Sequence, residues 1–443
     1  MGTWLGLAWA LLCLPGLGDG HGRLGGPAAT IPRADAQAFS FPSPTLTATQ
    51  RRAFSVGNAL FKTNWVSAPA SAAGRDGLGP LFNARSCSAC HLRDGRGRPA
   101  ERGEAAETGD LVRVALGGAP HPLYGGQLQD RAILGAQPEP APLLEWEELP
   151  GLYPDGVRYS LRRPRWRGAG SHQEGLAYTA LVAPHMIGLG LLEAVPSATL
   201  HALADPEDHD GDGISGRVHL VRDRRTGELA PGRFGWKASQ PTVEQQVAAA
   251  FVHDIGITSS LFPEEPLSME QLEQNPSAAS EAPELDDLKL SRVTFYSQVL
   301  AVPAQRAAGE PEIRSGEEHF SVLGCAACHR PALRTGPEAV LSGYQSVEIH
   351  PYTDLLLHDL GAGLADGRPE GDASGSEWRT PPLWGVGLFD AVNGHSFYLH
   401  DGRARSLEEA VLWHGGEAAR SRDAFMALSA GQRHDLLAFL ASL

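Results

Sequence analysis

Cys87, Cys90 and His91 stand together in "SCSACH", and Cys325, Cys328 and His329 repeat the pattern in "GCAACH", 238 residues further on (325 − 87). Two thiols three positions apart can saturate both vinyl groups of one porphyrin, and a histidine directly after the second can bring its ring to the iron. CxxCH is therefore the attachment grammar of a c-type haem. Zinc is the sharpest competitor, because two CxxC pairs can make a tetrahedral four-thiolate site. It leaves the histidine after each pair without a purpose. A redox dithiol would expect a βαβ setting, and neither motif lies in one. The motifs predict two covalently bound c-type haems, one at Cys87, Cys90 and His91 and the other at Cys325, Cys328 and His329. Two haems on one chain suggest an electron relay, one storing an electron and the other meeting a substrate.

These motifs need elements to hold them. A helix is predicted from about Thr47 to Lys62, delivering the chain into the first motif, while the Pro- and Gly-containing lead His21 to Pro44 reads as flexible. Between about Gly109 and Gly170 the pattern turns irregular, with strand-like "DLVRVAL" and basic "RYSLRRPRWRG", as in an insertion with some β structure. "NPSAASEAP" is a polar loop, and "ELDDLKLSRVTFYSQVLAVPAQR" reads as a helix ending before Pro303, where the domain boundary is placed. The second unit closes with a helix in "SAGQRHDLLAFLASL". Apart from the CxxCH pair no internal repeat is visible.

A chain of 443 residues has room for two or three domains, and its 52 Gly and 33 Pro point to many turns between helices. The net charge of −15 argues against nucleic acid or an anionic membrane as partner, since either needs basic surface, and suits a cationic protein partner better. Residues 1–20 resemble a signal peptide, with an apolar run from Trp4 to Leu14 that is too short to span a bilayer. No later stretch qualifies as a transmembrane segment. Lipid anchoring at Cys13 is disfavoured by Leu12, where a small residue is expected. Cys13 lies in this leader and the motifs use the other four cysteines, so none remains for a structural disulfide.

Taken together the motifs resemble those of the bacterial di-haem cytochrome c peroxidase superfamily, and within it the branch of di-haem or thiol oxidoreductases. The resemblance runs from about Ala48 to Leu443. It is carried by "GPLFNARSCSACHLRDGRG", "APHMIGLGLLEAVP", "DHDGDGISGR", "GRFGWKA", "DIGITSSLFP", "PYTDLLLHDLG", "EWRTPPLWGVG" and "LHDGRARSLEEAVLWHGGEA". It implies a mainly α fold of two cytochrome-c-like haem domains, 45–300 with the large irregular insertion and 301–443 without it. It further implies periplasmic location, a small redox protein as electron donor, and reduction of hydrogen peroxide or haem-mediated oxidation of another small substrate.

In "RSLEEAVLWHGGEA", Ser406 can cap a helix with Glu409 answering three residues later, and Leu407, Ala410, Val411 and His414 then share one face. A histidine on an apolar face is usually a satisfied core residue. In related peroxidases, however, the helix after the His-Asp-Gly motif supplies the distal ligand of the second haem, often Met. The resemblance therefore implies that His414 closes the second iron opposite His329, and imidazole in place of thioether should lower the potential. For the first haem the peroxidases place a tryptophan between the haems, then a Gln and a catalytic Glu. Trp236 and Gln246 match at the same separation (246 − 236 = 10), but the Glu is missing. Asp254, beside His253, is the closer chemical substitute, and Glu193 is a second candidate acid–base group. Plain roles compete: Trp236 as core, Gln246 as a solvated helix residue, Asp254 as a cap. Met186 is a candidate sixth ligand, though a core Met is the commoner outcome.

Asp208, Asp210 and Asp212 alternate in "DHDGDGISG" with Gly213 making the turn, as in the first half of a Ca²⁺-binding loop. The twelfth position is His219 rather than Glu, so an acidic surface turn competes with a calcium site. The expected function is an exported di-haem oxidoreductase of peroxidase type, passing electrons through the second haem and Trp236 to the first. The alternatives are a non-catalytic di-haem electron carrier and a haem enzyme that modifies a partner protein. An open face on the His91 haem separates the first from the second.

Overall fold

The computed structural model describes residues 22–71, 74–101, 109–168, 174–274 and 283–443. The leader 1–20, Cys13 and the polar loop as far as residue 282 lie outside them. Among the described residues about 31% are helical and 19% are in strands, so the expectation of a mainly α protein is corrected to a mixed one. The physical source of the difference is the stretch from Asp110 to Val182. It folds as long antiparallel strands rather than as an irregular excursion, and many two- and three-residue strand pairs add to it.

The same construction surrounds both CxxCH motifs. Helix Ala48–Lys62 opens with a capping box between Thr47 and Gln50 and crosses helix Asp287–Gln298 at Gly57. A Cβ there would meet the Arg292 carbonyl oxygen at 2.2 Å, so only glycine lets the two backbones close. Helix Pro311–Val322 crosses helix Ala430–Ser442 at Gly316, where a Cβ would lie 2.0 Å from the Asp435 oxygen. Four residues after each glycine comes a buried phenylalanine, Phe61 or Phe320. Each touches the histidine of the following motif, Phe61 at 6.1 Å from His91 and Phe320 at 6.3 Å from His329 between ring centroids. One apolar core runs through both halves, from Leu24 and Phe39 through Tyr296 and Trp384 to Phe439. The lead before Pro44 belongs to it: Leu24, Ala29 and Phe39 are fully buried, and Thr30–Ile31 pairs in parallel with Val302–Pro303. Burial of those three side chains overrides the flexibility that Pro and Gly suggested.

Strands Asp110–Leu116 and Leu176–Val182 pair antiparallel along seven residues. Between them, strands Leu143–Leu152 and Arg158–Arg167 form a hairpin that reaches across to the C-terminal half. Its basic stretch is not a free cationic patch, because Glu147 accepts from both Arg163 and Arg165 at 2.7 and 2.6 Å, and Arg167 pairs with Glu145 at 2.8 Å. These exposed pairs add little stability. The hairpin is fastened instead by Arg162, buried between Trp146 and Phe397 and donating to the carbonyls of Gly402 and Arg403. Tyr153 donates to Glu408 at 2.7 Å, and Arg433 reaches Asp155 at 2.6 Å. The hairpin thus grips the segment that leads to His414. No helix among the described residues is long and apolar enough to cross a membrane.

Candidate functional site

At the second motif, Gly324 takes a left-handed turn after helix Pro311–Val322, and a short 3₁₀ turn, Cys325–Ala327, presents both thiols to an internal cavity. His329 follows, its Nδ1 held 2.9 Å from the Tyr352 carbonyl oxygen. Helix Leu407–Leu412 is capped by Ser406, which accepts from the Glu409 N–H, while the Glu409 carboxylate turns to Arg405 rather than back to the cap. The helix stops two residues short of His414, whose Nδ1 bonds the Ala410 carbonyl oxygen at 2.7 Å. Both rings therefore keep Nε2 free for the cavity. Their centroids are 6.5 Å apart. Two imidazoles on opposite sides of one metal ion, each bound at about 2.0–2.1 Å, bring their ring centres to roughly that distance. Burial lowers the pKa of His329 to about 4 and that of His414 below its ordinary value, so both are neutral, as ligands must be. The residues present fit a haem at this site.

The first motif is a single turn, Cys87–Cys90, and His91 is fixed through Nδ1 to the Pro184 carbonyl oxygen at 2.8 Å. Burial lowers its pKa to about 4. These residues repeat the donor set and the Nδ1 anchoring of the second site. Among the described residues no second imidazole faces His91 as His414 faces His329, and its ring contact is with Phe61.

Helix Val243–Asp254 spaces the candidate catalytic groups. Asp254 ends it and accepts from Gln127 Nε2 at 3.0 Å, and its charge acts on Cys87. Burial pushes its pKa up to about 6, against the opposing pull of the Gln127 hydrogen bond and of Arg113. Glu193 lies at the other end of the helix, accepting from the Val243 N–H at 2.7 Å and from Gln298 at 2.6 Å. A helix of this length separates the two carboxylates by roughly 16 Å, so they cannot serve one site. Gln246 sits one turn in, beside Gly235, where a Cβ would be 3.7 Å from its Oε1. Trp236 lines the second cavity, donates from Nε1 to the Val182 carbonyl at 3.0 Å and lies under the Arg96 guanidinium at 5.3 Å. Met186 packs its side chain on the main core while its backbone N–H bonds Asp94.

The carboxylates of Asp208, Asp210 and Asp212 place an oxygen each within 4.8 Å of one another. His219 is turned away, buried against the Lys237 carbonyl.

The sequence reading passed over one group at the second site. His358 is buried between Asp354, 2.9 Å from Nε2, and Glu417, 2.8 Å from Nδ1, with the Cys328 sulfur 3.6 Å away. Burial pulls its pKa down, but these hydrogen bonds outweigh it and push it up to about 12. Glu417 also accepts from the Ser215 backbone and hydroxyl and from the Asp359 N–H, tying the segment after His414 to the turn that follows the acidic loop. The signal lay in "TDLLLH", a carboxylate four residues before a histidine.

Two cysteine pairs, each followed by a histidine anchored through Nδ1 to a backbone carbonyl, are the donor sets of two haems. Residues 22–111 and 143–443 match the family described as "Di-haem oxidoreductase, putative peroxidase", and the chain belongs to that family of di-haem oxidoreductases. No curated protein matches the sequence. Among solved structures it is similar to a chain of hydrazine synthase from Kuenenia stuttgartiensis, with 13% identity, 94% of this chain and 96% of that one covered, and a TM-score of 0.32. A likeness that weak carries no argument about this chain.

Proposed function

We propose that this di-haem oxidoreductase is an exported, peroxidase-type enzyme that carries both haems covalently and reduces hydrogen peroxide at the first. The observation that carries the reading is the asymmetry of the two sites, His414 facing His329 while no imidazole among the described residues stands in ring contact with His91. A c-type haem supplies one-electron chemistry and, where one coordination position stays open, a place for peroxide. Cys87, Cys90 and His91 would hold the first, and Cys325, Cys328, His329 and His414 the second. Reducing one peroxide consumes two electrons and two protons. Asp254, half ionised near pH 6 and steadied by Gln127, is the group to move a proton, and Trp236 on the cavity wall is the aromatic step between the sites.

The leader and the implied periplasmic location go together with a small redox protein as donor, cationic to suit the net charge of −15. Three converging carboxylates support Ca²⁺ at Asp208, Asp210 and Asp212. The test is steady-state peroxide reduction by protein matured in a cytochrome c assembly system, with a small reduced cytochrome as donor. Turnover is expected. Protein with both haems attached that ignores peroxide would leave the electron-carrier reading.

A further inference from the structure

Four of the eight buried Lys and Arg side chains among the described residues are paired with carboxylates, and Arg162 and Arg233 are spent on backbone carbonyls. Arg403 lies 2.8 Å from Asp401, Arg433 2.6 Å from Asp155, and Lys237 3.3 Å from Asp366. Two on the wall of the second cavity are not. Arg96 and Arg379 are 5% and 7% exposed, and neither has a carboxylate within ion-pair distance among the described residues. Arg96 spends one amino group on the Leu399 carbonyl and leaves Nε without a partner. Arg379 donates to the carbonyls of Gly235 and Thr380 at 3.0 and 3.1 Å. Beside them on the same wall His185, 8% exposed, is wedged between Phe39 and Phe389, and both its ring nitrogens lack partners. Burying unpaired charge and unmet hydrogen-bonding atoms is costly, so this wall is built for an anion with several acceptor oxygens.

We propose that Arg96, Arg379 and His185 receive the two peripheral carboxylates of the haem attached at Cys325 and Cys328, and so set its orientation. This rests on the haem reading above and goes one step past it. The thioether edge lies by Cys325 and Cys328, and the carboxylate edge faces Arg96 and Trp236. That edge then adjoins the first site, because Pro184, whose carbonyl holds His91, is bonded to His185. The guanidinium over Trp236 and the Arg379 N–H on the Trp236 carbonyl, 2.9 Å away, fix the tryptophan by the same two arginines.

The test uses the holoprotein with Arg96→Gln, Arg379→Gln, Arg379→Lys and His185→Phe. Redox titration should show the His329 haem harder to reduce in both glutamine variants. A unit charge roughly 10 Å away at an effective dielectric of about 20 is worth on the order of tenfold in the reduction equilibrium, about 59 mV for one electron. Arg379→Lys should recover most of the shift, and the His91 haem should move less. His185→Phe keeps a ring between Phe39 and Phe389, and should shift the carboxylate-bending band in the resonance Raman spectrum with haem content and spin state unchanged. Intact low-spin haem whose potential and Raman band stay at wild-type values in these variants would overturn the assignment. So would an added small carboxylate, acetate, that perturbs wild type and not Arg379→Gln, since the wall would then serve a free anion. Protein with no haem at Cys325 and Cys328 would instead defeat the reading on which this one rests.

Discussion

The rings of His329 and His414 face each other with centroids 6.5 Å apart, each anchored through Nδ1 to a backbone carbonyl. In the proposed function His414 is an iron ligand and plays no part in the thioether attachments. His414→Gly should turn the low-spin signal of the second haem to high spin, keep both haems attached, and slow electron delivery to the first. Added imidazole should restore the low-spin spectrum. Visible absorption and electron paramagnetic resonance (EPR) spectra read both outcomes.

Asp254 and Glu193 lie at opposite ends of one helix, so replacing them should have different effects. Asp254→Asn should cut peroxide turnover by roughly 10²–10⁴-fold with the haem spectra almost unchanged. In the wild type, kcat/KM for peroxide should rise through an apparent pKa near 6 as Asp254 ionises, and this limb should vanish in the variant. Stability moves the opposite way. The folded pKa is raised, so the Asp254 contribution falls as pH climbs from about 4 through about 6. Glu193→Gln should leave turnover near wild type and lower stability by about 1–2 kcal/mol through the weakened helix start.

Calcium should raise the melting temperature and a chelator should lower it, because the three carboxylates repel one another without a cation. Asp210→Asn should weaken the response. A differential scanning calorimetry series at fixed ionic strength measures it; a melting temperature indifferent to both additives identifies a plain acidic turn.

The hairpin should depend on Arg162 more than on its exposed charge ladder. Arg162→Ala removes two hydrogen bonds from a buried cation and its contact with Trp146 and Phe397, and should cost about 2–4 kcal/mol. Arg167→Ala, on the exposed face, should cost less than about 0.5 kcal/mol. Urea unfolding of the two variants gives the comparison.

What was legible depended on how local the signal was. The haem motifs, the Ser406 cap and the helices ending at Lys62 and Ser442 are written in adjacent residues. The second copy of the scaffold was not read, although "GNALF" and "GEEHF" share glycine and phenylalanine at the same spacing. Close helix crossing at Gly57 and Gly316 is a property of pairs of helices far apart in the chain. The hairpin was missed because its two strands carry charges on both faces, and only Glu145 and Glu147 opposite the arginines make such a strand soluble and paired. His358 escaped for a related reason: its two carboxylate partners come from four residues before it and 59 after it.

The central claim is that one iron is closed by two imidazoles and the other keeps a face open. Low-temperature EPR of the purified protein, oxidised and half-reduced, tests it directly. A low-spin signal with two imidazole ligands from the His329 haem together with a high-spin signal from the His91 haem in at least one of the two states, the latter altered by added peroxide, is the predicted result. Low-spin iron at both sites in both states, with no response to peroxide, would contradict it.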